Sequence, residues 1–214
     1  MTRASTRSFS ILEIAIATFL LGIVGTMVFA ALTTTVDHAS SNSTRLMLLS
    51  KAESGLRIVA EELREGRAEF TRVVDVPGAG FANSTALLIP SARASTQAAE
   101  FQLDGISARF VSAIVYIPRS NQSGRLELVR HQMAVDPGLW PLELEVNASS
   151  LVLFKGNDVI ATVNRSGDKE VLGNLRRFAA APMAGAFRLV IEIESGSPDK
   201  LMVHPYSIAV SPSN

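Results

Sequence analysis

The carboxylate of Glu13 has an unusual position, because it stands at the beginning of a long apolar run. Arg3 and Arg7 precede it, and no residue in the range 14–36 is charged. A carboxylate that enters hydrocarbon costs about 2.5 kcal/mol or more, and it then needs a cation as its partner. Glu13 is therefore predicted to form an ion pair. The alternative is that its side chain only extends to the cytoplasmic surface of a membrane.

The residue types that serve enzymes and metal sites are scattered along the chain. His38, His131 and His204 are far apart in sequence and do not have the spacing of metal ligands. The sequence contains no nucleophile elbow, phosphate-binding loop or dinucleotide fingerprint. The turns at residues 166–168 and 197–199 offer only isolated acids to a calcium ion. We therefore expect a protein that is not an enzyme and that has no cofactor and no metal.

The composition excludes further classes of function. The chain has 214 residues, with 20 Lys+Arg, 20 Asp+Glu and no Cys. Without cysteine there are no disulfides, zinc–thiolate sites, iron–sulfur ligands or catalytic thiols. A net charge of zero argues against a basic surface for nucleic acid, so no nucleic acid is expected among the partners.

The uncharged run at residues 14–36 is predicted to be a membrane-spanning helix. At 1.5 Å per residue it is about 35 Å long, and the bilayer core is about 30 Å thick. The basic residues Arg3 and Arg7 lie on one side of the run and Asp37 on the other. The positive-inside rule then places the N-terminus in the cytoplasm and the rest of the chain across the membrane. A secretory signal peptide cleaved after Ala30 is the alternative.

Residues 9–13 read FSILE and lead directly into the apolar run. With the basic residues before them, they resemble the N-terminus of the type IV prepilin family. In that family a short basic leader ends in a small residue, the mature chain begins with Phe, and its fifth residue is Glu. Counted from Phe9, Glu13 is the fifth residue. The chain departs from the pattern at Ser8, where Gly is usual, and at Ala30, where many major pilins have Pro.

The resemblance implies a processing step and a set of partners. A prepilin peptidase would remove the leader, residues 1–8, by cutting between Ser8 and Phe9, and would methylate the new amine of Phe9. In a filament, Glu13 would pair with the Phe9 amine of a neighbouring subunit. The implied partners are the peptidase, other pilin or pseudopilin subunits, and an inner-membrane assembly platform. The implied location is the bacterial inner membrane, with a single pass and a periplasmic C-terminal domain, and the filament after assembly.

An amphipathic helix is predicted to follow the membrane segment. Apolar residues recur at helical spacing of three and four, at Leu49, Ala52, Leu56, Val59 and Leu63. Glu53 and Arg57 have the spacing of an ion pair on the polar side, and Gly66 is a predicted C-terminal stop. The polar residues 33–44 contain no Gly or Pro, so the two helical segments can be continuous.

The rest of the chain alternates with the period of β-strands after an irregular stretch at residues 67–107. Strands are predicted at residues 108–117, around 126–128, and at 142–146, 151–155, 158–163, 187–193 and 201–210. The step at Gly156 and Asn157 predicts a hairpin, and Pro205 predicts an edge strand. Trp140 is expected to anchor the core or a loop, with a subunit contact as the alternative. The predicted fold is α+β, a long N-terminal helix packed on a C-terminal antiparallel sheet.

These observations lead to one functional hypothesis and two alternatives. The hypothesis is a minor pilin or pseudopilin, with a membrane or filament-core helix at residues 9–36, an amphipathic helix at 37–66 and a periplasmic domain at 67–214. It would serve a type IV pilus or a type II secretion pseudopilus, and a tip position follows only by analogy. The first alternative is a periplasmic binding or sensory domain on an uncleaved membrane anchor. The second is a soluble secreted domain released after Ala30.

Overall fold

The protein is described by a computed structural model. The described residues are 10–77, 83–93, 103–104, 107–121, 124–147, 150–163, 169–195 and 202–212. Ser8 and Phe9, the predicted cleavage and methylation site, lie outside these ranges. The chain divides into two compact units, Met1–Leu46 and Met47–Asn214.

One continuous helix, α1, extends over Ile11–Glu65. The polar stretch at residues 33–44 does not interrupt it. Threonine hydroxyls there donate to main-chain carbonyls three or four positions earlier, as Thr33 does to Ala30 at 2.9 Å and Thr44 does to Ser40 at 3.0 Å. Because these bonds stay within the helix, poor helix formers are accommodated without a break.

The second half of α1 buries the predicted apolar stripe. Ala52, Leu56, Val59 and Leu63 are all buried, and Leu48 is buried where Leu49 was expected. Leu49 itself is only half-buried, so the stripe begins one residue earlier than predicted.

The surface ion pair on this part of α1 differs from the prediction. Arg57 donates to Glu61 at 2.8 Å, whereas the sequence suggested Glu53 as its partner. Both candidate acids lie one helical turn from Arg57, so helical spacing alone does not choose between them.

The strands after α1 form an antiparallel framework. The strands in the described residues are β1 (Arg72–Asp75), β2 (Thr85–Ser91), β3 (Leu103–Asp104), β4 (Ser107–Ala108), β5 (Ser112–Ser120), β6 (Leu126–Ala134), β7 (Glu143–Val146), β8 (Leu151–Lys155), β9 (Asp158–Val163), β10 (Lys169–Met183), β11 (Ala186–Ser195) and β12 (Met202–Val210). Seven of them form one sheet in the order β1-β2-β5-β6-β10-β11-β12, and β7-β8-β9 form a second sheet. A further pair joins β3 and β4. The predicted α+β fold is confirmed.

The large sheet separates two apolar cores. On one face, residues from β2, β5, β6, β10 and β11 pack against the second half of α1. On the other face, β2 and β5 pack against the three-stranded sheet. Successive residues of β2 alternate between the two, because Leu87 and Ile89 join the helix-side core while Ala86 and Leu88 join the other. The domain therefore has three layers, one helical and two of sheet.

Two local predictions about strands are wrong. The stretch at residues 67–107 contains β1 and β2, although it was expected to be irregular. β2 is buried over its whole length, so its sequence is a continuous apolar run without a period of two. In addition, β5 continues through Pro118, where it was expected to end. β5 pairs with β2 only as far as Tyr116. Pro118 lies beyond this pairing, so β2 does not need an N–H from it.

Other local predictions are correct. β8 and β9 are joined at Gly156, which has a φ of 62°. In β11, Phe187, Leu189, Ile191 and Ile193 are buried on one face. β12 is an edge strand of the large sheet and contains Pro205.

Gly66 follows the end of α1, as predicted, but its role there is close packing against β2 and not a left-handed cap. α1 stops at Glu65, and a Cβ on Gly66 would lie 2.8 Å from Cγ2 of Ile89 and 3.2 Å from the carbonyl oxygen of Pro90. Gly66 is absent from the glycines with positive φ, so it is not a left-handed cap. It allows the end of α1 to lie directly against β2.

An ion pair between a buried arginine and a half-buried glutamate joins α1 to the large sheet. Arg130 of β6 contacts Glu62 of α1 at 2.7 Å, and its side chain is 6% exposed. The hydroxyl of Tyr116, which is fully buried on β5, donates to the same carboxylate at 2.5 Å. Burial, together with the charge of Glu62, raises the pKa of Tyr116 far above its ordinary value. The phenol therefore stays protonated and acts as a donor.

A second ion pair extends this network toward the end of α1. Arg93 contacts Glu65 at 2.7 Å, and the backbone carbonyl of Arg93 accepts from Ser112 at 2.6 Å. The side chain of Gln132 accepts from Arg130 at 2.9 Å and donates to Ser112 at 3.0 Å. Burial raises the pKa of Glu65, and the charge of Arg93 opposes that shift. The polar groups between the helix and the sheet are thus joined in a connected network.

We expect Leu56→Asp to lower the free energy of unfolding by about 3 kcal/mol or more, because it buries an unpaired charge beneath the sheet. The measurement is urea denaturation of the full-length protein in detergent micelles, followed by the fluorescence of Trp140, the only tryptophan. Arg57→Ala, on the exposed side of the same turn, is the matched control and should change the midpoint little. Equal midpoints for the wild type and Leu56→Asp would show that the stripe is not core.

Arg130→Met should destabilise the protein by about 2 kcal/mol or more, because it leaves the half-buried carboxylate of Glu62 without its cation. Tyr116→Phe removes one hydrogen bond and keeps the ion pair, so its cost should be nearer 1 kcal/mol. The double variant Glu62→Leu/Arg130→Met should recover part of the loss, since no charge remains buried. The same denaturation assay measures all three. If Arg130→Met costs no more than Tyr116→Phe, the ion pair does not hold the helix.

Candidate functional site

The first half of α1 exposes its apolar side chains on all sides. Phe19 is 69% exposed, Leu21 73% and Phe29 69%. Among the described residues, α1 is the helix that is long and apolar enough to cross a membrane, and none of its most apolar window is buried in the protein. A helix buried in a soluble core would pass the same test of length and composition but would not be exposed in this way. An exposed apolar surface of this length is compatible with a membrane anchor or a signal sequence.

The hydroxyl groups in this segment are satisfied inside the helix. Thr18 donates to Ile14 at 2.9 Å, Thr26 to Ile23 at 2.8 Å, and Thr34 to Ala30 at 2.6 Å. A hydroxyl without a hydrogen bond is costly to place in an apolar environment. Because these threonines bond to the main chain, they are compatible with lipid or with packing against other apolar helices.

Glu13 closes the first turn of α1 in a capping box with Ser10. The backbone N–H of Ser10 donates to Oε2 of Glu13 at 2.9 Å, and the backbone N–H of Glu13 donates to Oγ of Ser10 at 3.2 Å. Two N–H groups at the helix start are thereby satisfied, and the carboxylate lies near the positive end of the helix dipole. This geometry gives Glu13 a role within its own chain.

The sequence reasoning missed the capping box, although the pattern Ser-x-x-Glu at residues 10–13 is its usual signature. The cost of a charge in hydrocarbon predicts a partner in another subunit for Glu13 and does not reveal the cap. Its proposed cationic partner, the amine of Phe9, lies outside the described residues. The geometry of that pair is therefore a prediction.

The histidines do not form a catalytic arrangement in the described residues. His204 on β12 is 2.9 Å from the hydroxyl of Ser195 on β11, which is the spacing of a nucleophile and its base. Within the described part of the chain, no carboxylate is hydrogen-bonded to His204 to orient its ring. The contact instead joins the edge strand β12 to its neighbour.

The described residues also lack a site that could hold a metal ion. No three of their His, Asp and Glu side chains form a cluster of possible ligands. The two turns with isolated acids, at residues 166–168 and 197–199, lie outside the described residues.

Trp140 lies in an aromatic cluster, which agrees with its predicted role as an anchor of the core or a loop. Its ring centroid lies 6.0 Å from Phe70 and 6.2 Å from Phe110. The indole N–H donates to the carbonyl of Phe110 at 3.0 Å. The cluster joins three segments of the domain that are far apart in sequence.

Comparison with protein-family models, with curated proteins and with solved structures gives no match.

Proposed function

We propose that this chain is a prepilin-like structural subunit, a minor pilin or pseudopilin of a type IV pilus or a type II secretion pseudopilus. One observation carries the proposal. The exposed and uncharged segment of α1, residues 14–36, directly follows the carboxylate of Glu13, which is four positions after Phe9. The chain would be held in the inner membrane by residues 9–36 and would later be transferred to a filament.

The exposed helix suits a protein that moves between two apolar environments. Before assembly, lipid covers side chains such as Phe19 and Phe29. In a filament, the same side chains pack against the helices of neighbouring subunits. The two states differ little in apolar burial, so assembly does not have to expose this surface to water. A polar interaction is then needed to select the correct neighbour and register.

Glu13 can supply that interaction while it remains in its capping box. The backbone N–H of Ser10 contacts Oε2, and within the described residues Oε1 has no hydrogen bond. A carboxylate can accept several hydrogen bonds, so Oε1 is available to a cation. The amine created at Phe9 would lie next to the positive end of its own helix dipole, where a cation is unfavourable. The Glu13 carboxylate of a neighbouring subunit would offset this repulsion.

The alternative function is a periplasmic binding or sensory domain on an uncleaved anchor. The capping box favours it, because it explains Glu13 without any partner. This alternative predicts that the residues before Phe9 are retained and that the charge of Glu13 has no effect on partners.

The N-terminus of the protein from its native membrane distinguishes these functions. We expect intact-mass and N-terminal peptide analysis to find a mature chain that starts at methylated Phe9. Ser8→Gly restores the residue usual in the family and should be processed at least as fast as the wild type. A chain that begins at Met1 or Thr2 would support a permanent anchor. A start near Ala31 would indicate a secreted domain, and slower processing of Ser8→Gly would argue against this cut site.

Two substitutions at Glu13 separate its cap from its charge. Glu13→Gln keeps the capping box, because Gln also accepts from the N-cap N–H, but it removes the charge. Glu13→Ala removes both. If the charge pairs with a neighbouring amine, both variants should lose co-purification of filament subunits from native membranes by about tenfold, while cleavage continues.

Glu53→Gln, at an exposed acid further along α1, is the control and should behave as the wild type. Retention of partners by Glu13→Gln, together with their loss in Glu13→Ala, would show that only the cap matters. That result would contradict the proposed pairing.

A further inference from the structure

A polar cleft opens in the unit Met47–Asn214. Its volume is about 810 Å³, which is within the range of small-molecule sites. Lys51 and Ser54 of α1 form one wall. Asn121, Arg125 and the beginning of β10 form the other. Most of the lining side chains are polar or charged, so a ligand would have to be polar as well.

The charged groups of the cleft are not paired with one another. Lys51 and Arg125 are on opposite walls, and Glu170 lines the same space. All three are exposed, and within the described residues none of them forms an ion pair. Arg125 donates instead to the side-chain oxygen of Asn174 at 3.3 Å. Two cations and one carboxylate are therefore available to a ligand that carries an acid and hydrogen-bond donors.

The backbone of β10 is irregular where it lines the cleft. Its register with β6 shifts between Glu170 and Leu172 and again between Leu172 and Leu175. Asn174 has a φ of 55°, in the left-handed region. A Cβ on Gly173 would lie 2.7 Å from Oε1 of Glu170, so glycine makes room for that carboxylate. Bulges and left-handed residues of this kind occur often beside binding sites, where they redirect side chains.

The same features argue against two modes of peptide binding. A peptide that adds a strand needs a regular open edge, and β10 is interrupted by register shifts beside the cleft. A peptide bound through an apolar anchor needs an apolar pocket, whereas this lining is mostly polar. Side-chain amides, hydroxyls and charges that converge on one cleft instead fit a ligand rich in hydroxyl groups.

We propose that this cleft binds a carboxylated saccharide, such as a segment of a uronic acid chain. Lys51 and Arg125 would contact the carboxylate of the sugar, and Glu170 would accept from its hydroxyls. The side-chain oxygen of Asn174 accepts from Arg125, and its amide nitrogen can donate to a sugar hydroxyl. The proposal does not depend on the filament function, because the cleft is built entirely from residues of Met47–Asn214.

The test is calorimetric titration of the full-length protein in detergent micelles with trigalacturonic acid. We expect saturable binding that is absent with the neutral sugar maltotriose. The double variant Lys51→Ala/Arg125→Ala should weaken binding about tenfold or more, because it removes both cations. Asn174→Gly keeps the left-handed backbone and removes the amide, so it should weaken binding without loss of the fold. The unfolding midpoint reported by Trp140 checks the fold of each variant.

Arg176→Ala is the matched control, since Arg176 is exposed on β10 but does not line the cleft. It should bind trigalacturonic acid as the wild type does. Absence of binding in the wild type would overturn the proposal, as would equal binding of maltotriose. An equal loss in Arg176→Ala would show non-specific attraction to the acid, and saturable binding of polyglutamate in its place would show that the cleft recognises a peptide.

Discussion

The contact between Glu62 and Arg130 determines how the helix and the sheet fit together. Apolar contacts such as those of Leu56 and Leu63 are non-directional, so they alone would tolerate a shift of α1 along the sheet. The half-buried carboxylate of Glu62 accepts from both Arg130 and Tyr116, and a shift of α1 by one turn, about 5.4 Å, would break both contacts. A buried ion pair contributes little net stability against an apolar replacement. We infer that its value here is specificity, because it fixes α1 against β5 and β6.

The two halves of α1 meet different demands with the same backbone. Residues 14–36 carry no charge on any face, and their hydroxyls bond back to the main chain. The half inside the Met47–Asn214 unit has an apolar stripe on one face and charged residues on the other. A helix that is apolar on all sides is stable where its surroundings are apolar, whereas an amphipathic helix belongs on the surface of a domain. The distribution of charge along α1 therefore separates the segment that needs lipid or other helices from the segment that needs the sheet.

Local sequence patterns predicted the elements whose structure depends on a turn residue or on burial of one face. The β8–β9 hairpin was correct because Gly156 supplies the left-handed residue that its turn needs. The alternation in β11 was correct because one face of that strand is buried more than the other. β2 was missed because both of its faces are buried, so its sequence has no period. The pairing of Arg130 with Glu62 connects residues 68 positions apart, and no local pattern indicates such a contact. The capping box at residues 10–13 was different, since its signature was present and was overlooked.

The relative size of two effects decides between the explanations of Glu13. A helix cap contributes about 0.5–2 kcal/mol. Placing a carboxylate in the centre of a membrane costs about 2.5–3.5 kcal/mol on insertion scales, and less near the surface. The capping box with Ser10 therefore accounts for Glu13 only while the carboxylate stays at the membrane surface. If α1 is buried in a bundle of apolar helices, the cap no longer offsets the cost and a cation is required. The amine of a processed Phe9 would provide that cation at the same end of the helix, and this is why the filament function is preferred to an uncleaved anchor.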